Sequence, residues 1–109
     1  MEVVAIVGPS CSGKTQYVTN KYKDDLYTYQ PGGKNYNGQS VLLIDGLPYS
    51  VMKRAELLNL LEPGANWRKV FLISNADPEC WYEDTTDLES RITNLVHVKT
   101  YNDFAGLDL

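Results

Sequence analysis

The sequence predicts an α/β three-layer sandwich with a mainly parallel sheet of about five strands. Three observations carry this reading. Val3–Val7 (VVAIV) is continuously apolar and β-branched, as a strand covered on both faces must be. Val41–Asp45 (VLLID) and Val70–Ser74 (VFLIS) repeat the same pattern, an apolar run ending in a polar residue. Helix-patterned segments separate these strands, and such alternation makes the strands parallel and puts the helices on the faces of the sheet.

In chain order, Val3–Val7 is the first strand, and the glycine-containing stretch Gly8–Thr15 (GPSCSGKT) follows it without a gap. Lys14–Tyr22 is expected as a helix that starts inside that stretch. Leu26–Tyr29 is a short aromatic strand, and Gln30–Gln39 (QPGGKNYNGQ), rich in Gly and Asn, is a loop. After the strand Val41–Asp45 comes a helix over Val51–Leu61, with Val51, Ala55, Leu58 and Leu61 on one face, Ser50 as its N-cap and Pro63-Gly64 as its stop. Val70–Ser74 is the fourth strand. Thr86-Asp87-Leu88-Glu89 has the capping-box pattern and opens a short helix through Ile92. Leu95–Lys99 (LVHVK) alternates, which suits an edge strand. Residues 1–101 are expected to form one domain and 102–109 a frayed C-terminal tail.

Gly8, four residues, then Gly13-Lys14-Thr15 is the phosphate-loop (Walker A) spacing. The chemistry explains it. Glycines permit backbone conformations that aim successive N–H groups at phosphate oxygens. The helix that begins at Lys14 adds the positive end of its dipole. Lys14 is expected to reach the β- and γ-phosphates, and the Thr15 hydroxyl to ligate Mg²⁺. The nucleotide-binding set is Gly8, Pro9, Ser10, Cys11, Ser12, Gly13, Lys14, Thr15 and Gln16. A glycine turn that fits the pattern by chance is the bland reading. The strand before and the helix after, at the first strand of the domain, argue against it.

Asp45 ends a strand where the carboxylate that holds Mg²⁺ through its water shell belongs, since ligands of such sheets bind outside the carboxyl ends of the strands. Its structural alternative is a turn residue in Asp45-Gly46-Leu47-Pro48. Asn75, after VFLIS, suits an amide that orients a lytic water and senses the γ-phosphate, or else a turn cap with Asp77 ahead of Pro78.

In this order, GPSCSGKT, NYNGQSVLLIDGLPYS, VFLISNADPECWY and LESRITNLVHVK resemble the superfamily 3 helicase domain of replication-associated proteins, the rolling-circle initiators of circoviruses and related circular single-stranded DNA viruses. The resemblance spans Val3 to Lys99. It implies a P-loop NTPase fold, ATP and Mg²⁺ as cofactors, and a homo-oligomeric ring that engages single-stranded DNA only as an assembly. By the same resemblance Lys14, Asp45, Asn75 and Arg91 are the catalytic residues, and Thr15 and Asp45 hold the metal. Asn75 is the sensor, and Arg91 in SRIT is a finger toward a neighbouring subunit's γ-phosphate. The location implied is intracellular, in the host nucleus for a viral replication protein and otherwise in the cytoplasm. The residue-level alternative for Arg91 is a surface pair with Asp87 at i, i+4.

Two departures shape the functional expectation. Gly46 stands where the family has a second acid, and between Asp45 and the sensor strand no Lys-Gly-Gly hairpin is visible. The expectation is therefore an ATP/Mg-binding domain with weak hydrolysis. The competing expectation is a non-hydrolysing nucleotide-binding module that modulates a larger replication protein. A nucleoside-kinase-like phosphotransferase would need an arginine-bearing lid, and Arg54, Arg68 and Arg91 are too few and too scattered.

Composition narrows the classes further. Ten Lys and Arg against 14 Asp and Glu give a net charge of −4, which argues against gripping nucleic acid unaided. No apolar run approaches the roughly 20 residues of a membrane span, and MEVVAIVG leads into a strand rather than a signal peptide. Cys11 and Cys80 are expected as free thiols, and a single His97 without a paired-cysteine motif gives no metal-site spacing. Tyr17, Tyr22, Tyr27 and Tyr29 are expected to pack on the core rather than stack on bases, and Trp81-Tyr82 to flank either the adenine or a subunit contact.

Overall fold

The computed structural model describes residues 1–10, 12–30, 33–47, 53–62 and 66–109. Its five strands are β1 (Glu2–Val7), β2 (Leu26–Thr28), β3 (Val41–Leu47), β4 (Lys69–Ser74) and β5 (Asn94–His97). They form one sheet in the order β2-β3-β4-β1-β5, and every pairing is parallel. The helices are α1 (Lys14–Tyr22), α2 (Arg54–Leu60) and α3 (Thr86–Arg91).

Alternation along the strands divides the core into two layers. Val3, Ala5, Leu42, Ile44, Val70 and Leu72 face one side, where Leu57 of α2 and Leu88 of α3 cover them. Val4, Ile6, Leu43, Phe71 and Ile73 face the other, where Val18 of α1 covers them. This explains the unbroken apolar runs: a side chain pointing either way meets a helix rather than water. As expected, β5 lies at an edge, paired only with β1.

The order of the strands also creates a crevice. From β1 the chain leaves through α1 toward the β2 edge. From β4 it leaves through α3, on the opposite face, toward β5 on the far side of β1. Diverging connections from adjacent strands open a gap at their carboxyl ends. The loops after β1 and β4 border it.

Several local expectations are corrected. The α2 helix begins at Arg54, and its N-cap is Lys53 in extended conformation (φ −82°, ψ 159°), not Ser50. Ser50, Val51, Met52 and the Pro63-Gly64 stop lie outside the described residues. Its buried face is Leu57 and Leu61, one turn apart, while Ala55 is exposed. The N-cap of α3 is Thr85, so Thr86 already lies inside the helix and the expected capping box is not formed. Instead Asp84 accepts the Thr86 N–H (3.1 Å).

Residues 102–109 are not frayed. A 3-10 helix, Tyr101–Phe104, opens with a reciprocal capping box between Thr100 and Asp103. Asp103 accepts the N–H groups of Lys99 (2.7 Å) and Thr100 (3.1 Å), which hold its carboxyl below the usual aspartate range. Phe104 is buried and stacks on Tyr17 with ring centroids 4.4 Å apart. Leu109 is buried in the same layer, and its N–H donates to the Tyr17 hydroxyl (3.2 Å). Two apolar anchors and a capped turn hold this segment against α1. Polar composition in the tail hid them, because Phe104 and Leu109 do not form a periodic pattern.

The tyrosines pack as expected. Tyr27 is buried, and Tyr17, Tyr22 and Tyr29 lie partly buried against the two layers. Trp81 is buried as well, and Tyr82 packs partly buried against the same layer.

Candidate functional site

The carboxyl ends of β1, β3 and β4 enclose a cleft of about 460 Å³, lined among others by Ser10, Lys14, Thr15, Asp45, Gly46 and Asn75. Each strand contributes through its own local device.

From β1, Gly8 leaves the sheet between its neighbours, its N–H donating to Ser74 O (3.1 Å). A Cβ at Gly8 would lie 2.2 Å from Val98 O, so only glycine fits there. Gly13 closes the loop in the left-handed region (φ 81°) and forms the N-cap of α1. No side chain caps this helix and its first turn carries no acid. Its leading N–H groups thus border the cleft with no capping side chain on them, a natural setting for an anion. Lys14 is only 6% exposed. Its ammonium donates to Gly8 O and Pro9 O (2.7 Å each), to Ser12 Oγ (3.2 Å) and to Asn75 Oδ1 (3.2 Å). The loop is thereby wrapped around its own cation. Cys11 lies outside the described residues; Gln16 lines the cleft from the first turn of α1.

From β3, Asp45 follows the alternation onto the α1 side, and its Oδ2 accepts the Thr15 hydroxyl at 2.7 Å. Immediately beyond, the register with β4 jumps from Ile44↔Leu72 to Leu47↔Ser74. One extra residue in β3 makes a bulge, and Gly46, at φ 80°, supplies the left-handed conformation it needs. The bulge flips the subsequent alternation, so Leu47 joins the layer under α2 and α3 instead of facing α1. Gly46 was legible in the sequence only as a missing acid; its conformational task was not.

From β4, Ser74 anchors the strand tip. Its hydroxyl donates to Leu47 O (2.5 Å) and accepts from Ala76 N (3.0 Å) and Trp81 Nε1 (2.9 Å). Trp81 Nε1 also donates to Ala76 O (2.8 Å). This buried knot ties the ends of β3 and β4 together and leaves Asn75 at the rim. Asn75 then bridges to the loop, accepting from Lys14 and donating to Ser10 Oγ (3.1 Å). Sequence reasoning singled out Asn75 but missed Ser74 and Trp81 as its supports. The signal was the serine ending a buried strand with a tryptophan seven residues on.

Arg91 is not brought to this cleft within one chain. It ends α3 just before β5 begins, so it lies toward the amino ends of the strands, opposite the cleft. There it donates to Leu61 O (3.0 Å) and pairs with Glu62 (3.6 Å), while Asp87 pairs with Arg54 (3.7 Å). The i, i+4 pair with Asp87 is thus replaced by a cap on the end of α2.

A magnesium ion fits the Thr15–Asp45 pair in one specific way. Mg²⁺ keeps most of its waters and takes one or two protein oxygens plus substrate phosphate oxygens. A hydroxyl and a carboxylate 2.7 Å apart, beside an ammonium suited to phosphate, are such a partial set. Among the described residues no cluster of three or more His, Cys, Asp or Glu could hold an ion by itself.

A second groove, about 550 Å³, runs beside β5 and shares no lining residue with the first. Asp77, Glu79 and Glu89 line it, and three carboxylates disfavour an anionic ligand. Cys80 is a free, exposed thiol. No helix among the described residues is long and apolar enough to cross a membrane. No protein-family model matches the chain, and no curated protein matches it.

Proposed function

We propose that this chain binds ATP with Mg²⁺ in the β1–β4 cleft, as a domain akin to the helicase ATPase module of viral rolling-circle initiators, and that its own hydrolysis is weak. One observation carries the reading. The groups that phosphate chemistry requires converge on one cleft: the Lys14 ammonium, the Thr15–Asp45 pair and the Asn75 amide. Motif spacing brought only Lys14 and Thr15 together. Asp45 comes from 30 residues beyond Thr15 and Asn75 from 61 beyond Lys14, so their convergence is independent support.

In this reading the Lys14 ammonium exchanges its bonds to Gly8 O and Pro9 O for the β- and γ-phosphate oxygens. Backbone N–H groups at the start of α1 take the remaining oxygens. Thr15 and Asp45 hold the Mg²⁺, which when bound offsets the charge on the phosphoryl oxygens. Asn75, already against Lys14, senses the terminal phosphate and orients a water. A carboxylate to take that water's proton is missing at position 46, which is the reason for weak turnover. The same glycine favours a second reading, a nucleotide-loaded module that modulates a larger replication protein without hydrolysis of its own. Arg91 acts in either reading only if a second copy receives it and its contacts with Leu61 and Glu62 open. Single-stranded DNA, given the net charge of −4, belongs to such an assembly rather than to one chain.

Steady-state ATP turnover, with and without single-stranded DNA, tests the proposal. The expected wild-type rate is well below the roughly 1 s⁻¹ of an ordinary enzyme. The Gly46→Asp variant should turn over faster, although the left-handed backbone should cost about 1 kcal/mol of stability. Aspartate is among the few residues that tolerate that region. A wild-type rate at or above that ordinary value, or a folded Gly46→Asp variant no faster than wild type, contradicts the role given to position 46.

A further inference from the structure

An aromatic ring lies just outside the cleft, against Gly13, one of its lining residues. A Cβ built on Gly13 would lie 2.3 Å from Tyr101 Cδ2, so the Tyr101 ring rests directly on the backbone of the phosphate loop. It is nevertheless 47% exposed, unlike Trp81 and Tyr27, which are buried. The ring is held rather than loose. The capping box between Thr100 and Asp103 fixes the turn that carries it, and the neighbouring Phe104 is anchored by stacking on Tyr17.

Direction follows from the order of the strands. Asp45 and Asn75 stand at the tips of β3 and β4, on one side of the β1 loop. A triphosphate whose terminal group meets them runs back across Gly13–Thr15 and leaves on the other side. That side belongs to β5, and the chain that continues from β5 carries Tyr101. A nucleoside emerging there meets an exposed aromatic ring fixed to the loop that holds its phosphates.

We propose that Tyr101 is the platform on which the nucleobase of the bound nucleotide stacks. The inference rests on the phosphate-cleft reading above and adds to it the base end of the site. Stacking tolerates any base because each has a π-face, so the site discriminates poorly among nucleoside triphosphates and favours the larger purines.

The test compares Mg·ADP, Mg·ATP and inorganic tripolyphosphate on wild type and on the Tyr101→Ala and Tyr101→Phe variants, with thermal unfolding run on each. Expected for Tyr101→Ala is about a tenfold loss of affinity for both nucleotides and unchanged affinity for tripolyphosphate. Tyr101→Phe should keep wild-type affinities. A Tyr101→Trp variant should show fluorescence quenching by ADP beyond that of wild type and none by tripolyphosphate. Equal losses for nucleotide and tripolyphosphate would make Tyr101 a prop for the loop and overturn the proposal. Unchanged nucleotide affinity in Tyr101→Ala would also overturn it, and so would an indole in the Tyr101→Trp variant whose emission does not respond to ADP. Failure of wild type to bind either ligand is a different result: it removes the phosphate-cleft reading itself.

Discussion

Replacing Lys14 with Ala is expected to weaken binding of Mg·ATP at least about 100-fold while the fold survives. The ammonium would make two or more charge-assisted hydrogen bonds to phosphate, each contributing about 1.5–3 kcal/mol, and tenfold in affinity corresponds to about 1.4 kcal/mol. Two opposing effects set the stability of the variant. Gly8 O and Pro9 O lose a donor that sits 2.7 Å from each, which destabilises. Removing an ammonium that is 6% exposed relieves its desolvation, which stabilises. A net change within about 2 kcal/mol follows. Calorimetric titration with parallel thermal unfolding reads both quantities. A folded Lys14→Ala protein that binds Mg·ATP as wild type does would show that the ammonium faces no phosphate.

The largest loss of stability from a single added methyl group is expected for Gly8→Ala. Its Cβ would meet a backbone oxygen, Val98 O, at 2.2 Å, and the Val98 Cγ2 at 2.9 Å. Val98 cannot yield easily, because its N–H donates to Val7 O (2.9 Å) and holds the chain after β5 against the end of β1. Gly13→Ala makes the instructive contrast. There the Cβ meets a side chain rather than backbone, Tyr101 Cδ2 at 2.3 Å, so the ring would have to leave the loop, and the left-handed backbone remains unfavourable. Overpacking costs about 1–3 kcal/mol and occasionally more. A backbone collision should place Gly8→Ala at or above the top of that range, against a total stability of about 5–15 kcal/mol for a domain of this size. Thermal unfolding should show a fall in Tm of about 10 °C or more. A Tm within a few degrees of wild type would mean that β1 and the segment after β5 are not packed as described.

Much of the fold was legible because burial on both faces leaves its mark on composition. VVAIV, VLLID and VFLIS have no polar residue in mid-run that could face water, and they became the three central strands. Asp45 and Thr15 were legible as candidates for one site because each stands where a strand end or helix start faces the carboxyl edge of the sheet; their 2.7 Å contact is what the structure adds. Features that depend on conformation or on distant packing left no such mark. Gly46 reads as an absence until its φ of 80° reveals the bulge. Ser74 and Trp81 form one hydrogen-bonded knot across two strands, which no local pattern encodes. Tyr101 and Phe104 sit in a polar stretch and find their partners, Gly13 and Tyr17, at the other end of the chain. Caps were misplaced by one to three residues: at α3 Asp84, Thr85 and Thr86 compete for the start, and at α2 the backbone enters the helix at Lys53, which carries no capping side chain.

The most direct test is isothermal titration of Mg·ATP, and separately Mg·ADP, into the folded wild-type chain. The account predicts a saturable isotherm with one nucleotide per chain, lost in Lys14→Ala. No heat up to millimolar nucleotide, together with an unchanged unfolding temperature at the same concentration, would contradict it.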